Sequence, residues 1–519
     1  MAAPNQGLMP LFETIALLLI LALATFDLWV GVANDAVNFL NSAFGSRVAR
    51  RRVIMIISTV GILFGALTSS GLMEVARRGV FDPSHFVDPQ GAIILTSILA
   101  LYLGVMAADV LLLDLFNTFG LPTSTTVSIV SELVGASIAV ALWTNGGGID
   151  GALEVINSGP VLGIYTAIVL SVVTAFVSAA VVMFVVRVLY GHDLKSSFPR
   201  WGWLWTGVSF AAMTYFVLFK GLQGAAILDD ETISMLRDRI VLILGSVFVV
   251  AGGLAMAFRQ QPSRVIGAIV LTGTGALSIA FAGNDLVNFI GPSVAAFQAV
   301  LVEGVDLSGR VGTPPWALLL AGAVMVTALT RSRKARRVTD TEIRLAAQGH
   351  TKQRFRTSGL GAALVALGHA GLGAARRLTP GGIRSRIEGR TAPPPLDPAA
   401  PPYDLLRASV NLTVAALLIS IGTANGLPLS TTYITFMAAM GASLGDRTWR
   451  AADAEQRVTG ILVVLGGWLI TGLIAAAGAF VMASLIVLTG TAGLPIVAVL
   501  VAVGVWRLGR IRQPEPEHG

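Results

Sequence analysis

The chain has 519 residues, of which 54% are hydrophobic and only 13% are charged, and its mean hydropathy is +0.77. A soluble protein of this size would carry roughly 25% charged residues, so the composition excludes an ordinary soluble domain. The net charge of +7 does not indicate nucleic-acid binding, because the positive residues collect in loops beside apolar segments, as membrane topology requires. The absence of cysteine excludes disulfides, thiolate metal sites and a cysteine nucleophile.

Apolar runs of about 20 residues, long enough to cross a bilayer, recur along the chain. The first, at 11–30, has no basic segment before it, so it predicts a membrane helix rather than a cleaved signal peptide. Arginines at 47 and 50–52 predict a cytoplasmic loop and an N-terminus outside. We expect ten to twelve membrane segments, some broken or re-entrant. The further predicted spans are 53–72, 91–113, 127–143, 161–190, 201–220, 240–258, 266–282, 315–329, 409–424, 461–488 and 494–505.

A short polar motif interrupts the apolar pattern twice. Asn-Asp-Ala-Val-Asn-Phe occupies residues 34–39, and Asn-Asp-Leu-Val-Asn-Phe occupies residues 284–289. A carboxylate inside a membrane is costly unless it is paired, and it marks a functional site by default. The two copies therefore predict one site that is built from two halves of the chain.

A second motif also occurs twice, as Gly-Leu-Pro-Thr-Ser-Thr-Thr at 120–126 and as Gly-Leu-Pro-Leu-Ser-Thr-Thr at 426–432. Proline favours the first turn of a helix, where backbone N–H groups lack intrahelical acceptors and attract anions. Two facing helix starts would suit a tetrahedral oxyanion. The alternative is that these hydroxyls only bond to carbonyls of their own helices. The candidate anion-binding hydroxyls are Ser124, Thr125, Thr126, Ser430, Thr431 and Thr432.

The repeated motifs are collinear. The Asn-Asp copies are 250 residues apart (285 − 35) and the Ser-Thr-Thr copies are 306 apart (430 − 124), and we attribute the difference of 56 to an insert at 331–407. A count of the spans places the two Asn-Asp helices in opposite orientations, which defines an inverted repeat. The predicted fold is therefore an all-α polytopic membrane protein with an inverted-topology repeat.

The predicted organisation has five parts. They are a first transmembrane repeat at 1–190, connecting transmembrane segments at 191–265, the first part of a second repeat at 266–330, a basic insert at 331–407, and the rest of the second repeat at 408–519. The insert is rich in Lys, Arg and Gly, which predicts a cytoplasmic linker that sets the topology. The alternative is a regulatory or lipid-binding role, since residues 360–372 could lie on a membrane surface.

The aspartates of the first motif, Asp35 and Asp285, would repel an anion, so they predict that a cation binds as well. Sodium would be coordinated by carboxylate and carboxamide oxygens, or protons would be carried on the aspartates. Joint binding of cation and anion is the basis of coupled symport; structural capping of helix breaks is the alternative. Asp109, Asp114 and Glu132 are either gating or proton-path groups or face water at helix ends. The candidate cation and coupling residues are Asn34, Asp35, Asn38, Asn284, Asp285 and Asn288, with possible Na⁺ ligands among the four asparagines.

These motifs together resemble the inorganic phosphate transporter (Pit) family, whose halves each carry a Gly-Ala-Asn-Asp-like signature and a Pro-x-Ser-Thr-Thr signature. The resemblance covers both halves of the chain but not the insert. It implies a twelve-segment inverted-repeat fold, often dimeric, that carries phosphate with sodium or protons. It also implies that Asp35 and Asp285 join the six hydroxyls in the phosphate site.

The chain departs from the family pattern at two places. The small residues usual around the second asparagine are replaced by bulkier ones, including Phe39 and Phe289. The histidine that often follows the hydroxyls is Val127 in one half and Tyr433 in the other. Both departures lie at the rim of the predicted site, where they bear on ion choice and substrate affinity.

The leading hypothesis is a secondary transporter of the plasma or inner membrane that moves inorganic phosphate by symport with Na⁺ or H⁺ and needs no other cofactor. A sulfate permease of the same family is the nearest alternative, because sulfate is also tetrahedral. A membrane enzyme acting on phosphorylated lipid is more remote, since every histidine lies in a polar segment and no cysteine is present. An anion channel is disfavoured by the two aspartates. We therefore expect a transporter that is not an enzyme.

Overall fold

The computed structural model describes residues 11–68, 72–74, 79–87, 94–145, 148–218, 230–301, 310–312, 315–347, 358–363, 365–367, 377, 380–392, 397, 399–424, 429–447 and 451–511. Within these ranges nearly every element is a helix. Two short strands, β1 (Leu72–Glu74) and β2 (Arg310–Gly312), pair antiparallel. The helices are α1 Leu11–Asp35, α2 Val37–Gly45, α3 Arg51–Thr68, α4 Leu95–Phe119, α5 Thr125–Thr144, α6 Gly148–Glu154, α7 Ser158–Tyr190, α8 Leu194–Phe216, α9 Asp230–Asp238, α10 Ile240–Ala257, α11 Pro262–Asn284, α12 Leu286–Leu301, α13 Pro315–Arg331, α14 Arg333–Ala346, α15 Gly381–Thr391, α16 Leu405–Ala424, α17 Thr431–Gly445, α18 Ala451–Thr489 and α19 Gly493–Arg510, with 3₁₀ turns at Pro83–Phe86 and Gly490–Ala492.

Nine helical segments of the described chain are long and apolar enough to cross a membrane. Three of them are compound: Leu11–Gly45 contains α1 and α2, Pro262–Val300 contains α11 and most of α12, and Ala454–Arg510 contains most of α18 and all of α19. When α18 and α19 are counted separately and the shorter apolar helix α13 is added, the total is eleven. The prediction of an all-α polytopic membrane protein is confirmed.

Each Asn-Asp motif interrupts its helix by a single residue. Between α1 and α2, Ala36 keeps helical backbone angles (φ −55°, ψ −26°). Its N–H group still donates to the Val32 carbonyl at 3.0 Å. Asp285 stands in the same way between α11 and α12, with φ −83° and ψ −18°. The polar motifs are therefore held on nearly continuous helical backbone.

The two interrupted helices run in opposite directions. Ser293 on α12 donates to the carbonyl of Ile20, near the start of α1, at 3.5 Å. At the other end, a Cβ atom on Gly267, near the start of α11, would lie 3.3 Å from Val48, just past α2. Residue numbers thus rise along one helix while they fall along the other, as an inverted repeat requires.

Each hydroxyl-motif helix packs against a long helix from the other half. α5 lies along α18, and its counterpart α17 lies along α7. Two further helix pairs also combine one helix from each half: α11 packs against α3, and α1 packs against α13. The core between the halves is therefore made of helix pairs to which both halves contribute.

Glycine sets the distance between these paired helices. A Cβ atom on Gly135 of α5 would lie 2.0 Å from the Ala476 carbonyl oxygen of α18. A Cβ atom on Gly441 of α17 would lie 2.1 Å from the Phe176 carbonyl oxygen of α7. The two glycines are again 306 residues apart (441 − 135). Small residues let membrane helices approach closely, and in each repeat a glycine allows this approach at the corresponding helix crossing.

The first part of the insert is a packed helix. α14 lies against α1, α2 and α4, and its last carbonyls are bound by buried arginines. Arg407 Nη1 donates to the Ala346 carbonyl at 2.5 Å, and Arg457 Nη1 donates to the Leu345 carbonyl at 3.2 Å. The predicted surface stretch 360–372 lies partly outside the described residues.

A buried ion network fixes the end of α17 beside this insert. Arg187 on α7 donates to Asp446 at 2.5 Å and to Asp404 at 2.7 Å, and Arg407 donates to Asp446 at 3.0 Å. Burial raises the pKa of Asp404, but Arg187 and Arg407 lower it further, so that the pKa lies below its usual range. Removal of one partner from such a network leaves an uncompensated buried charge.

Gly441→Leu should destabilise the protein by about 1–3 kcal/mol, because the new side chain must displace the backbone of α7. The measurement is the thermal unfolding midpoint of the purified protein in detergent. Gly163→Leu on α7 is the matched control, since no heavy atom lies within 4 Å of its added Cβ. Equal midpoints for the two variants would show that the crossing of α7 and α17 is not close.

Candidate functional site

The two hydroxyl motifs form helix starts, as predicted. α5 and α17 begin at Thr125 and Thr431, and the preceding serines, Ser124 and Ser430, are their N-cap residues. In both copies the serine Oγ accepts the backbone N–H three residues further on at 3.2 Å. Serine at this position satisfies one N–H group that lacks an intrahelical acceptor. The serines therefore hold the helix starts, while the threonine hydroxyls reach the Asn-Asp motifs.

Asp35 lies between the two helix starts and is fully buried. Thr125 donates to its Oδ2 at 3.2 Å, and Thr432 donates to its Oδ1 at 2.9 Å. Asp285, which is 4% exposed, accepts a hydrogen bond of 3.0 Å from Thr431. Asp35 thus receives one donor from each half of the chain.

The second asparagines of the motifs reach across to the opposite half. Asn38 Nδ2 donates to Thr432 Oγ1 at 3.0 Å. Asn288 Nδ2 lies 3.5 Å from Thr125 Oγ1 and 3.4 Å from Thr126 Oγ1. Each asparagine therefore meets the hydroxyls of the other repeat, so the motifs of the two halves contact each other, and their joint role as a binding site stays a prediction.

Asn34 holds the turn that leads into α5. Its Nδ2 donates to Asn117 Oδ1 at 2.8 Å and to the Leu121 carbonyl at 3.2 Å, and its Oδ1 accepts the Thr123 N–H at 2.9 Å. Asn117 donates in turn to the Val30 carbonyl at 2.7 Å. The carboxamide of Asn34 is therefore directed at this turn, and its position as a Na⁺ ligand stays a prediction.

Two polar residues near the site were missed by the sequence reasoning. Asn117 lies in an apolar run just before the Gly-Leu-Pro motif, and that position was its only signal. Thr435 lies one turn into α17 and donates to Asn38 Oδ1 at 3.1 Å. Of the predicted residues, the side chain of Asn284 lies outside the described part of the structure, as do residues 426–428 of the second Gly-Leu-Pro motif.

Within the site, the threonine hydroxyls donate hydrogen bonds directly to the carboxylates. A hydroxyl that donates to a carboxylate oxygen can equally donate to an oxygen of a phosphate or sulfate ion. The starts of α5 and α17 add the partial positive charge of helix N-termini. The carboxylate and carboxamide oxygens add acceptors of the kind that hard cations prefer. The arrangement can therefore bind an oxyanion and a cation side by side.

Aromatic side chains fill the space around the motifs, at the positions where the chain departs from the family pattern. The rings of Phe39 and Phe289 both contact Phe281, with centroid distances of 5.4 and 6.5 Å. Tyr433 stacks on Trp468 at 3.6 Å. The bulkier residues therefore form a packed wall behind the polar groups.

The three additional acidic residues are all buried, so none of them faces water at a helix end. Asp109 and Glu132 are 1% and 0% exposed, and both contact the hydroxyl of Ser128. Asp114 is 3% exposed and pairs with Lys334 of α14 at 2.6 Å. The first two form a cluster next to the site, and the third ties α4 to the insert.

A buried carboxyl group of the insert lies beneath the site. Glu342 on α14 is fully buried and accepts a hydrogen bond from Asn41 on α2. Tyr403 donates to the Asn41 carbonyl at 2.6 Å, so the same residue is held on both sides. Burial raises the pKa of Glu342 to about 8, against a smaller lowering by the bond from Asn41.

The fold and this site define a polytopic membrane protein with an inverted repeat and a polar centre between its halves, the arrangement that secondary transporters use. The model of the phosphate transporter family matches residues 31–334, more than half of the chain. The chain belongs to this family, and it is an integral membrane protein.

Relatives and a solved structure agree with this family. A protein of Pyrococcus abyssi named "Putative phosphate permease" is 27% identical over 315 residues, which are 59% of this chain and 72% of that protein. A protein of the same name from Pyrococcus furiosus is 28% identical over 311 residues, covering 59% of this chain and 71% of that one. The structure titled "The sodium-dependent phosphate transporter" superposes with a TM-score of 0.58 at 16% identity, covering 96% of this chain and all of the other. At this identity the likeness shows the fold.

The raised pKa of Glu342 predicts a pH dependence of stability. An unfolded glutamate titrates near pH 4.3, so between that pH and about 8 the folded protein binds a proton that the unfolded chain does not. Stability should therefore fall as the pH rises through this range. Glu342→Gln should flatten the profile of unfolding midpoint against pH.

The exposed Glu388, which pairs with Arg384 on α15, supplies the control for this test. Glu388→Gln should keep the wild-type pH profile. If Glu342→Gln also kept it, Glu342 would not be the residue that retains the proton.

Proposed function

We propose that the protein is a symporter that carries inorganic phosphate across the membrane together with Na⁺ or H⁺. The observation that carries the proposal is the position of Asp35, which accepts hydroxyl hydrogen bonds from the helix starts of both halves. A site that is assembled from two inverted repeats can open to either side as the helix groups around it move relative to each other. The phosphate transporter family supplies the class of substrate.

The anion part of the proposed site consists of the threonine hydroxyls at the two helix starts. When phosphate enters, Thr125, Thr431 and Thr432 exchange their carboxylate acceptors for phosphate oxygens. Phosphate can also donate a proton to Asp35 or Asp285, which the fully ionised sulfate ion cannot do. This difference favours phosphate over sulfate, and Ser124 and Ser430 contribute by holding the two helix ends in place.

The cation part of the proposed site consists of the aspartates and the neighbouring carboxamides. Asp35 and Asp285 become free to hold Na⁺ or H⁺ once the hydroxyls turn to phosphate, with Asn38 and Asn288 beside them. The bound anion then makes the free energy of cation binding more favourable, and the bound cation does the same for the anion. This mutual effect is a coupling free energy between two sites. Asn34 acts by positioning the turn before α5.

The proposed setting follows from the charge pattern. The arginines at 47 and 50–52 and the basic insert 331–407 lie on the cytoplasmic side of the plasma or inner membrane, with the N-terminus outside. The protein works without a cofactor other than its coupling ion and without catalysing a reaction, and a homodimer is the proposed assembly.

Asp285→Asn and Thr431→Ala should each abolish phosphate uptake by proteoliposomes, because the first removes the carboxylate charge that holds the cation and the second removes the hydroxyl donor at the second helix start. Uptake of labelled phosphate is measured under imposed Na⁺ or H⁺ gradients, with sulfate as the competitor. Thr330→Ala, an exposed threonine that bonds only to its own helix, is the matched control and should transport normally.

Three outcomes would contradict the proposal. Wild-type uptake by Asp285→Asn and Thr431→Ala would show that the anion does not bind at these residues. Uptake that responds to neither gradient would exclude symport, and inhibition by sulfate at concentrations equal to phosphate would favour the sulfate permease.

A further inference from the structure

Three carboxyl groups and one hydroxyl meet inside the first half, one helical turn beyond the proposed anion site. Asp27 comes from α1, Asp109 from α4, and Ser128 and Glu132 from α5, and all four residues are 0–1% exposed. Ser128 follows Thr125 by three residues, so the cluster lies directly behind the start of α5. The carboxyl groups of Asp27 and Asp109 face each other, as do those of Asp109 and Glu132.

The hydrogen atoms of this cluster can be counted. Ser128 Oγ lies 2.6 Å from Asp109 Oδ1 and 2.7 Å from Glu132 Oε1, and both are distances of O–H···O hydrogen bonds. A serine hydroxyl has one hydrogen and can donate to only one of the two oxygens. The second contact is a hydrogen bond only if the other carboxyl group donates. At least one proton must therefore reside on Asp109 or Glu132.

Asp27 gives a second and separate indication. Neither of its carboxylate oxygens has a hydrogen-bond donor among the described residues, and the same holds for Glu132 Oε2. A buried carboxylate without a donor is strongly disfavoured. The neighbour of Asp27 is the carboxyl group of Asp109, and two carboxyl groups can bond to each other only when they share a proton.

The repeat shows that the fold does not need this cluster. With the offsets of 250 and 306 residues, each of the four polar positions has a buried apolar counterpart in the second half. These counterparts are Leu277, Ala415, Ile434 and Ala438. The second half builds the same helices with hydrocarbon at the same places, so the polar side chains of the first half serve something other than packing.

We propose that Asp27, Asp109, Ser128 and Glu132 form a proton-binding site, separate from the Asn-Asp site, whose proton drives phosphate transport. The idea rests on the proposed function and names H⁺ as a coupling ion. Asp27 and Asp109 both lie close enough to Asp35 for their charges to interact. Loss of the proton therefore raises the negative potential at Asp35, beside the anion, and gain of the proton lowers it.

Few other charged groups face the cluster. Asp35 lies further along α1, with Asp285 of the second half beyond it, and Tyr165 on α7 lies beside Glu132 and bonds to Ser131 at 2.5 Å. α18 packs against both α4 and α5 but carries no charged residue between 459 and 489, and α12 carries none along its length. No arginine or lysine is therefore interposed from these two helices, and Lys334 of α14, which packs against α1 and α4, pairs with Asp114 outside the cluster. Protons are left to neutralise the carboxylates.

Infrared spectroscopy tests the resident proton without reference to transport. The spectra should be recorded in a Glu342→Gln background, because Glu342 also retains a proton near neutral pH. A band of protonated carboxyl groups should be present at pH 7 and should weaken in Glu132→Gln and in Asp109→Asn. An unchanged band in both variants would overturn the proposal, whatever the protein transports.

Transport assays test what the proton does. Proteoliposomes with a pH-sensitive dye inside should show phosphate uptake accompanied by acidification, and an outside-acid gradient should accelerate it. Asp27→Asn and Glu132→Gln should lose roughly tenfold of this acceleration while they retain phosphate exchange at equal pH. Asp114→Asn, a buried acid on α4 that pairs with Lys334 outside the cluster, is the matched control and should keep the wild-type response.

The outcomes separate the two proposals. A wild-type protein that shows no phosphate exchange would contradict the proposed function, while the infrared band would still report on the cluster. Phosphate exchange with an unchanged proton response in both Asp27→Asn and Glu132→Gln would overturn the proton site alone. A loss of Na⁺ dependence in place of H⁺ dependence would also overturn it, since the cluster would then bind a metal cation.

Discussion

The structure depends on keeping one buried carboxylate, that of Asp35, supplied with donors. An unpaired carboxylate at this depth would be strongly disfavoured, and its two hydroxyl donors come from helix starts that are 306 residues apart in sequence. Both helices must therefore begin at the same depth and from opposing directions, which an inverted repeat provides. The serine caps and the bonds of Asn34 to the turn before α5 hold the donors in place. The need to supply Asp35 with donors therefore constrains both the fold and the site.

The two halves share their scaffold but differ in their chemistry. The scaffold repeats closely: the capping serines and contact glycines such as Gly135 and Gly441 recur at an offset of 306 residues, and the cross-bonded asparagines recur at 250. Apart from Asp35 and Asp285, the buried ionisable clusters do not recur: the carboxyl cluster lies in the first half, while Asp446 and Arg407 lie in the second and are joined there by Arg187 from the first. An anion held between the halves therefore experiences different electrostatic surroundings on its two sides.

Most of the fold could be predicted from the sequence, because apolar length and repeated motifs are local signals. The serines at the starts of α5 and α17 were placed correctly for the same reason. The roles of individual polar residues were harder, since they depend on partners far along the chain: Asn34 on Asn117, and Glu342 on Asn41. Asp27 gave no signal, because one acid within an apolar run cannot show that two others will meet it. The packing of α14 was hidden by a composition that suggested a linker.

The glycine crossings determine which parts of the molecule can separate. Each hydroxyl-motif helix is in backbone contact with a long helix from the other repeat, α5 with α18 and α17 with α7. A movement that separated the two repeats as two rigid bodies would break these helix contacts. The units that remain intact contain helices of both repeats. Each combines the hydroxyl-motif helix of one repeat with the long helix of the other. In the proposed transporter, opening of the centre would therefore slide one such composite past the other, so the boundary between the moving units would not coincide with the boundary between the two repeats.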